Sequence, residues 1–322
     1  MKLNLSGMLF LSTMTMSILM SISSSNWIMI WCGLEISLIS FIPLMLSKKK
    51  MTSESTMKYF ITQSISSTML MLGMMIMIMK GDYNYEYMLM SSLLIKMGVP
   101  PFHSWVPTVV EGLSIMPMMI LLTINKIAPL TIMSFLKMKL SLIIFITMIV
   151  GSIMSLNQNS IKKMIGYSSI FNMSFILSII KSNLMWTLYL VFYFLLMFML
   201  SLILKMTNNN FINQMVFSDS MVNKMTLWTT LLSLGGMPPM IGFYTKYMVM
   251  TLMIEMKFLT LIFMMVMTSL VVMFFYLRMT FMSIMLFSIK GKIKLFNLNN
   301  MSLWMMTTNL LLLPIMFMAK NI

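Results

Sequence analysis

Lys96-Met97-Gly98-Val99-Pro100-Pro101-Phe102-His103-Ser104-Trp105-Val106-Pro107 follows an apolar run and brings it to a stop. Consecutive prolines delete backbone donors and clash with the preceding turn, so a helix entering this stretch breaks and leaves carbonyls free. The pattern returns at Gly235-Gly236-Met237-Pro238-Pro239-Met240-Ile241-Gly242-Phe243-Tyr244-Thr245-Lys246. Each copy sets glycine and a Pro-Pro pair within a few residues of a lysine. If the surrounding runs lie in lipid, the freed carbonyls need a polar or hydrated neighbourhood.

The surrounding runs do read as lipid-embedded. Of 322 residues 59% are hydrophobic and 9% charged, only seven are acidic, and the mean hydropathy is +0.93. Soluble domains carry roughly 25% charged residues, so a soluble enzyme is excluded. Crossing a hydrocarbon core of about 30 Å takes about twenty helical residues. Cutting the chain at its polar clusters gives eleven crossings: Leu5 to Ile22, Trp27 to Leu46, Met57 to Met79, Tyr87 to Val99, Ile115 to Leu136, Leu140 to Leu156, Ile165 to Ile180, Leu184 to Met206, Thr226 to Met250, Phe258 to Met282 and Ser302 to Ala319. Continuous runs of this length are helices, since barrel strands alternate in polarity over about ten residues. The start, Lys2 followed by an apolar run, resembles a signal peptide, but no small-x-small cleavage site precedes Ser23-Ser24-Ser25-Asn26, so it reads as a retained first span.

The breaks fall in the fourth and ninth crossings. An offset of five, an odd number, gives two halves of opposite orientation, 1–136 and 137–282, followed by a helix at 302–319. Gly/Pro-broken segments at matching places in inverted halves point to an ion or substrate site near the midplane. A pair of packing kinks is the plainer alternative.

Composition narrows the chemistry further. One cysteine, Cys32, and one histidine, His103, cannot supply an iron-sulfur cluster, a structural zinc site or a haem pair. Neither G-x-G-x-x-G nor G-x-x-x-x-G-K-[ST] occurs. The 52 methionines beside one arginine, Arg278, fit an AT-rich reading frame in which ATA also specifies Met. The net charge of +15 is carried by lysines set singly between apolar runs, which argues for membrane topology and against nucleic acid. Lys48, Lys49, Lys50, Lys162, Lys163, Lys205, Lys224, Lys290, Lys292 and Lys294 fall in one set of alternate loops; Lys80, Lys137, Lys139, Lys181 and Lys257 fall in the other. Lysines accumulate on the side that is not translocated, so the first set and the N-terminus are expected inside and the C-terminus outside.

An ionisable group at the bilayer centre costs about 2.5 to 3.5 kcal/mol on insertion scales, so each one needs a reason. Four stand out: Glu35 in Trp31-Cys32-Gly33-Leu34-Glu35, Lys96 before the first break, Lys126 in Thr123-Ile124-Asn125-Lys126-Ile127-Ala128-Pro129, and Lys246 after the second break. Burial in oil favours the neutral form of amine and carboxyl alike, which makes their protons movable near neutrality. A close Glu and Lys titrate as a coupled pair. A line of such groups, wetted by hydroxyls and amides, is a proton relay; a structural buried ion pair is the alternative for Glu35 and Lys126, and headgroup snorkelling for Lys96. His103 is a candidate shuttle or a satisfied hydrogen-bonder. Thr62, Gln63, Ser66 and Ser67 on the third span, and Ser168, Ser169 and Asn172 on the seventh, form stripes expected to face the bundle interior. Arg278, Lys205 and Lys181 read as anchors at span ends, and Glu111, Asp82 and Glu86 as loop charges.

Five stretches in this order resemble the antiporter-like membrane subunits of respiratory complex I. They are Trp31 to Pro43, Lys96 to Pro107, Leu121 to Pro129, Gln158 to Ile170 and Gly235 to Lys246, so the likeness covers nearly the whole chain. The resemblance implies an all-α polytopic, antiporter-like fold with inverted repeats and broken fourth and ninth helices, and Glu35, Lys96, Lys126 and Lys246 along a central hydrophilic axis. Bacterial relatives carry fourteen helices and one animal form lacks the first three, which eleven crossings fit. Sibling subunits often end the charged series with Glu, and this chain has Lys246. The implied activity is proton translocation in the mitochondrial inner membrane, with the N-terminus on the matrix side. The implied partners are other core membrane subunits, accessory subunits and inner-membrane lipids. NADH, FMN, iron-sulfur clusters and ubiquinone would be bound by other subunits, leaving no cofactor in this chain. A stand-alone cation/proton antiporter and a structural membrane spacer are the rival readings.

Overall fold

A chain this apolar must satisfy its backbone internally, and helices do so within one segment. The computed structural model describes residues 5–47, 50–80, 86–136, 140–207, 209–217, 221–285 and 300–320, and among them the regular elements are helices. One isolated antiparallel bridge, Ser160 with Phe211, accompanies them. The chain divides into two units, 1–143 and 144–322.

The first unit holds α1 (Leu5–Ser23), α2 (Trp27–Met45), α3 (Lys50–Lys80), α4 (Glu86–Met97), α5 (Trp105–Gly112), α6 (Ile115–Leu122) and α7 (Ile127–Phe135). A 3-10 turn, Ile124–Lys126, joins α6 to α7. Its centre is apolar, with Leu89, Leu93, Val106, Val109 and Leu122 fully buried. Lipid tails are as apolar as leucine, so this packing holds through close contact rather than water exclusion. At 31 residues α3 is longer than a span requires, and its first turns carry the exposed Lys58–Glu54 ion pair at 2.6 Å.

Helix α8 (Ser141–Leu156) begins at the end of the first unit. The second unit continues with α9 (Ile161–Ser178), α10 (Asn183–Thr207), α11 (Met221–Gly235), α12 (Ile241–Glu255), α13 (Leu259–Met285) and α14 (Asn300–Lys320). Helix α9 is buried along most of its length, although it carries Ser168, Ser169, Asn172 and Ser174. Its serine hydroxyls donate back to their own helix, as Ser168 Oγ does to the Ile165 carbonyl at 2.8 Å, which removes the cost of placing them in an apolar interior.

Among the described residues six stretches are long and apolar enough to cross a membrane by themselves: Leu5–Ser23, Trp27–Met45, Lys50–Met79, Ile115–Phe135, Asn183–Thr207 and Leu259–Phe281. The expected fourth and ninth crossings come as shorter pieces, because α4 ends one residue before Gly98 and α11 ends at Gly235.

Several charges sit elsewhere than expected. Lys224 is inside the first turns of α11 and 4% exposed, not in a loop. Glu86 opens α4 and Glu111 lies on α5, so neither is a loop charge. The polar pair Asn223-Lys224 imitates a loop, so a cut at polar clusters starts this helix late, at Thr226, where the structure starts it at Met221. Lys205 and Lys181 are exposed at or beyond helix ends, and Arg278, exposed inside α13, donates to the Leu156 carbonyl at 3.0 Å. Lys48, Lys49, Asp82, Lys137, Lys139, Lys290, Lys292 and Lys294 lie outside the described residues.

Candidate functional site

In the first unit the Gly-Pro-Pro stretch ends α4 through two tight bonds, Gly98 N–H to the Ile95 carbonyl at 3.1 Å and Val99 N–H to the Leu94 carbonyl at 3.0 Å. Gly98 has φ +70°, a left-handed conformation that favours glycine, and a Cβ there would stand 2.1 Å from Val106 Cγ2. The carbonyls at the break are met by side chains: the Trp105 indole donates to Ile95 at 3.1 Å, and the Gln63 amide approaches Lys96 at 3.4 Å. Lys96, in the last turn of α4, is 9% exposed.

A break that the sequence reading missed puts the second amine beside the first. The chain leaves helical geometry at Thr123, with φ −122° and ψ −74°, and resumes as α7 only after Lys126. Pro129 is the signal that was available: without an N–H it cannot bond the Asn125 carbonyl four residues back. Lys126, 4% exposed, therefore stands at the junction of two helices and not in mid-helix.

Lys96 and Lys126 line one cavity with Ser37, Tyr59, Gln63 and Asn125. The space open to water centres is about 30 Å³. A single water needs about 10–15 Å³ and two to four polar partners, so this cavity admits water. Both polar atoms of the Asn125 side chain are buried without a full hydrogen bond, close to the Tyr59 hydroxyl. Water in the cavity would satisfy them.

Glu35 is half-buried on α2, one residue from the cavity-lining Leu34, and its charge acts on the Lys96 ammonium. The two make no direct ion pair among the described residues, so the coupling acts through space. His103 lies half-buried between α4 and α5, outside the lining of this cavity, with Nδ1 buried and the Pro101 backbone as its near polar neighbour. Gln63, Ser66 and Ser67 are buried, whereas Thr62 is only partly so.

In the second unit Lys246 answers its own break. Its Nζ donates to the carbonyl of Gly235, the last residue of α11, and lies 5.5 Å from the Phe171 ring centre and 5.9 Å from that of Phe175. A helix C-terminus and aromatic faces both favour a cation. Gly236, at φ +88°, leaves the room: a Cβ would come within 2.8 Å of Lys246 Cδ. The lysine side chain also borders a smaller cavity, about 10 Å³, with Asn172, Tyr189, Tyr193, Ser233 and Thr245. The structure thus brings Lys96 and Lys126 together, couples Glu35 to Lys96, and gives Lys246 a site of its own within the second unit.

Residues 24–272 match the model of a protein family described as NADH:quinone oxidoreductase/Mrp antiporter, transmembrane. The chain belongs to this antiporter family. Curated relatives in it include NADH-ubiquinone oxidoreductase chain 2 of Locusta migratoria, 37% identical over 87% of this chain and 85% of the relative. The Anopheles gambiae protein of the same name is 36% identical over 88% and 87%. The antiporter fold is seen too in respiratory complex I from Thermus thermophilus with bound aureothin, where one chain matches with a TM-score of 0.80 at 18% identity, covering 97% of this chain and 80% of that one. At that identity the likeness establishes fold alone.

Proposed function

We propose that this antiporter-family chain is a proton-translocating core subunit of mitochondrial complex I, multi-pass in the inner membrane. It crosses eleven times, with inverted halves, the N-terminus in the matrix and the C-terminus in the intermembrane space. Electron transfer from NADH to ubiquinone takes place in other subunits, which carry the cofactors. The observation that carries this reading is the water-sized cavity shared by Lys96 and Lys126 at two helix breaks, with Glu35 acting on Lys96.

The chemistry follows from the groups present. A neighbour-driven change in the Glu35 and Lys96 pairing alters the proton affinity of Lys96. A proton then moves through cavity water to Lys126, and Lys246 is the last charged group of the series. His103, beside the first break, is a side entry for protons. No metal, nucleophile or redox group of this chain takes part.

The relatives named NADH-ubiquinone oxidoreductase chain 2 support the complex I assignment. The family description names Mrp antiporters as well, which favours a stand-alone cation/proton antiporter as the second reading. Native purification separates them. Migration with NADH dehydrogenase activity is expected, and cation/proton exchange by the isolated chain would contradict it.

A further inference from the structure

Three tyrosines crowd the polar face of α9 within the second unit, and the relay described so far uses none of them. Tyr189, Tyr193 and Tyr276 are 5%, 4% and 1% exposed. The Tyr189 hydroxyl donates to Asn172 Oδ1 at 3.1 Å. The Tyr193 and Tyr276 hydroxyls are buried without a hydrogen-bond partner that meets normal geometry. Tyr193 neighbours Ser169, Tyr276 neighbours Ser168, and the two phenols lie close enough to act on each other electrostatically. Those serines already donate to the Gly166 and Ile165 carbonyls, at 2.7 and 2.8 Å, so toward a tyrosine their oxygens act as acceptors.

Native structures rarely leave two such hydroxyls unsatisfied, and a buried water is the common remedy. Tyr193 borders the cavity that also holds the Lys246 side chain, and about 10 Å³ is the least that admits one water. Asn172, Ser233 and Thr245 complete its polar lining.

We propose that Tyr193 holds a water against Lys246 and is a further relay residue of the second unit, with Tyr276 the next hydroxyl. The proposal rests on the relay reading above. The Lys246 ammonium gives a proton to the water, the water passes one of its own to the Tyr193 oxygen, and Tyr193 releases its hydroxyl proton to the Tyr276 oxygen, which gives up its own proton in turn. One O–H bond forms and one breaks at each oxygen, charge moves by one proton, and no tyrosinate forms.

The test is made in the intact complex reconstituted in vesicles, with Tyr193→Phe, Tyr276→Phe and Lys246→Ala read as protons pumped per electron. Tyr193→Phe is expected to lower the ratio and to change the solvent deuterium effect on pumping, which loss of packing alone would not do. An unchanged ratio in Tyr193→Phe, with a lowered one in Lys246→Ala, overturns this proposal and leaves the relay standing. An unchanged ratio in Lys246→Ala overturns both. Should the tyrosine variants fail to assemble, a high-resolution map of the wild-type complex decides: a water within hydrogen-bond distance of Tyr193 Oη and Lys246 Nζ is expected, and dry contact refutes the step.

Discussion

Lys246 shows how an amine is kept in an apolar interior: a carbonyl freed by a helix break, two aromatic faces and a glycine without a side chain surround it. Replacing that glycine is the direct probe. Gly236→Ala forces a side chain into a left-handed backbone position, at about 1–2 kcal/mol, and its Cβ pushes on Lys246. Lower pumping with an assembled complex is expected; normal pumping would mean that the position of Lys246 is immaterial. The opposite change applies at Lys257, which holds φ +61° in the turn after α12. Lys257→Gly is expected to stabilise the protein by about 1 kcal/mol, read as a raised thermal midpoint. At this scale the charged residues were legible, since a lysine or glutamate inside an apolar run is conspicuous. The tyrosines were not: Tyr189 and Tyr193 stand one turn apart in a strongly apolar run, where they look like packing, and Tyr276 comes from a distant helix.

The helices matter here for where they stop. The Gly-Pro-Pro breaks could be read from the sequence because two prolines and a glycine leave no helical alternative. The break before Lys126 could not be read with the same ease, since a single proline at 129 is also compatible with a gentle kink. Restoring the donor tests its purpose. Pro129→Ala supplies the missing N–H and lets α6 run into α7, which moves Lys126 from its cavity. Pumping is expected to fall although helix stability rises; unchanged pumping would make the break incidental. On the other side of the cavity, Trp105→Phe leaves the Ile95 carbonyl with only the Gly98 bond and is expected to cost about 1 kcal/mol, measured as a lowered thermal midpoint.

Over the whole chain the composition assigns the class, and the units assign the chemistry. With 9% charged residues, the protein has few ionisable groups to spare, and it buries Lys96, Lys126, Lys224 and Lys246 nonetheless. Burying charge is costly in a soluble core and costlier in lipid, so several buried amines in one chain call for a function. The first unit answers with two amines around one water-sized space; the second sets Lys246 at a helix end and buries Lys224 in the first turns of α11. Lys224 was hidden from the sequence reading because loop lysines and first-turn lysines look alike. The relay depends most on Lys126, which is buried at the junction of two helices and shares its cavity with Lys96. The decisive measurement is proton uptake into vesicles holding the intact complex with Lys126→Ala, at matched amounts of assembled enzyme. Pumping well below that of the wild type is predicted, and wild-type pumping by this variant would contradict the account.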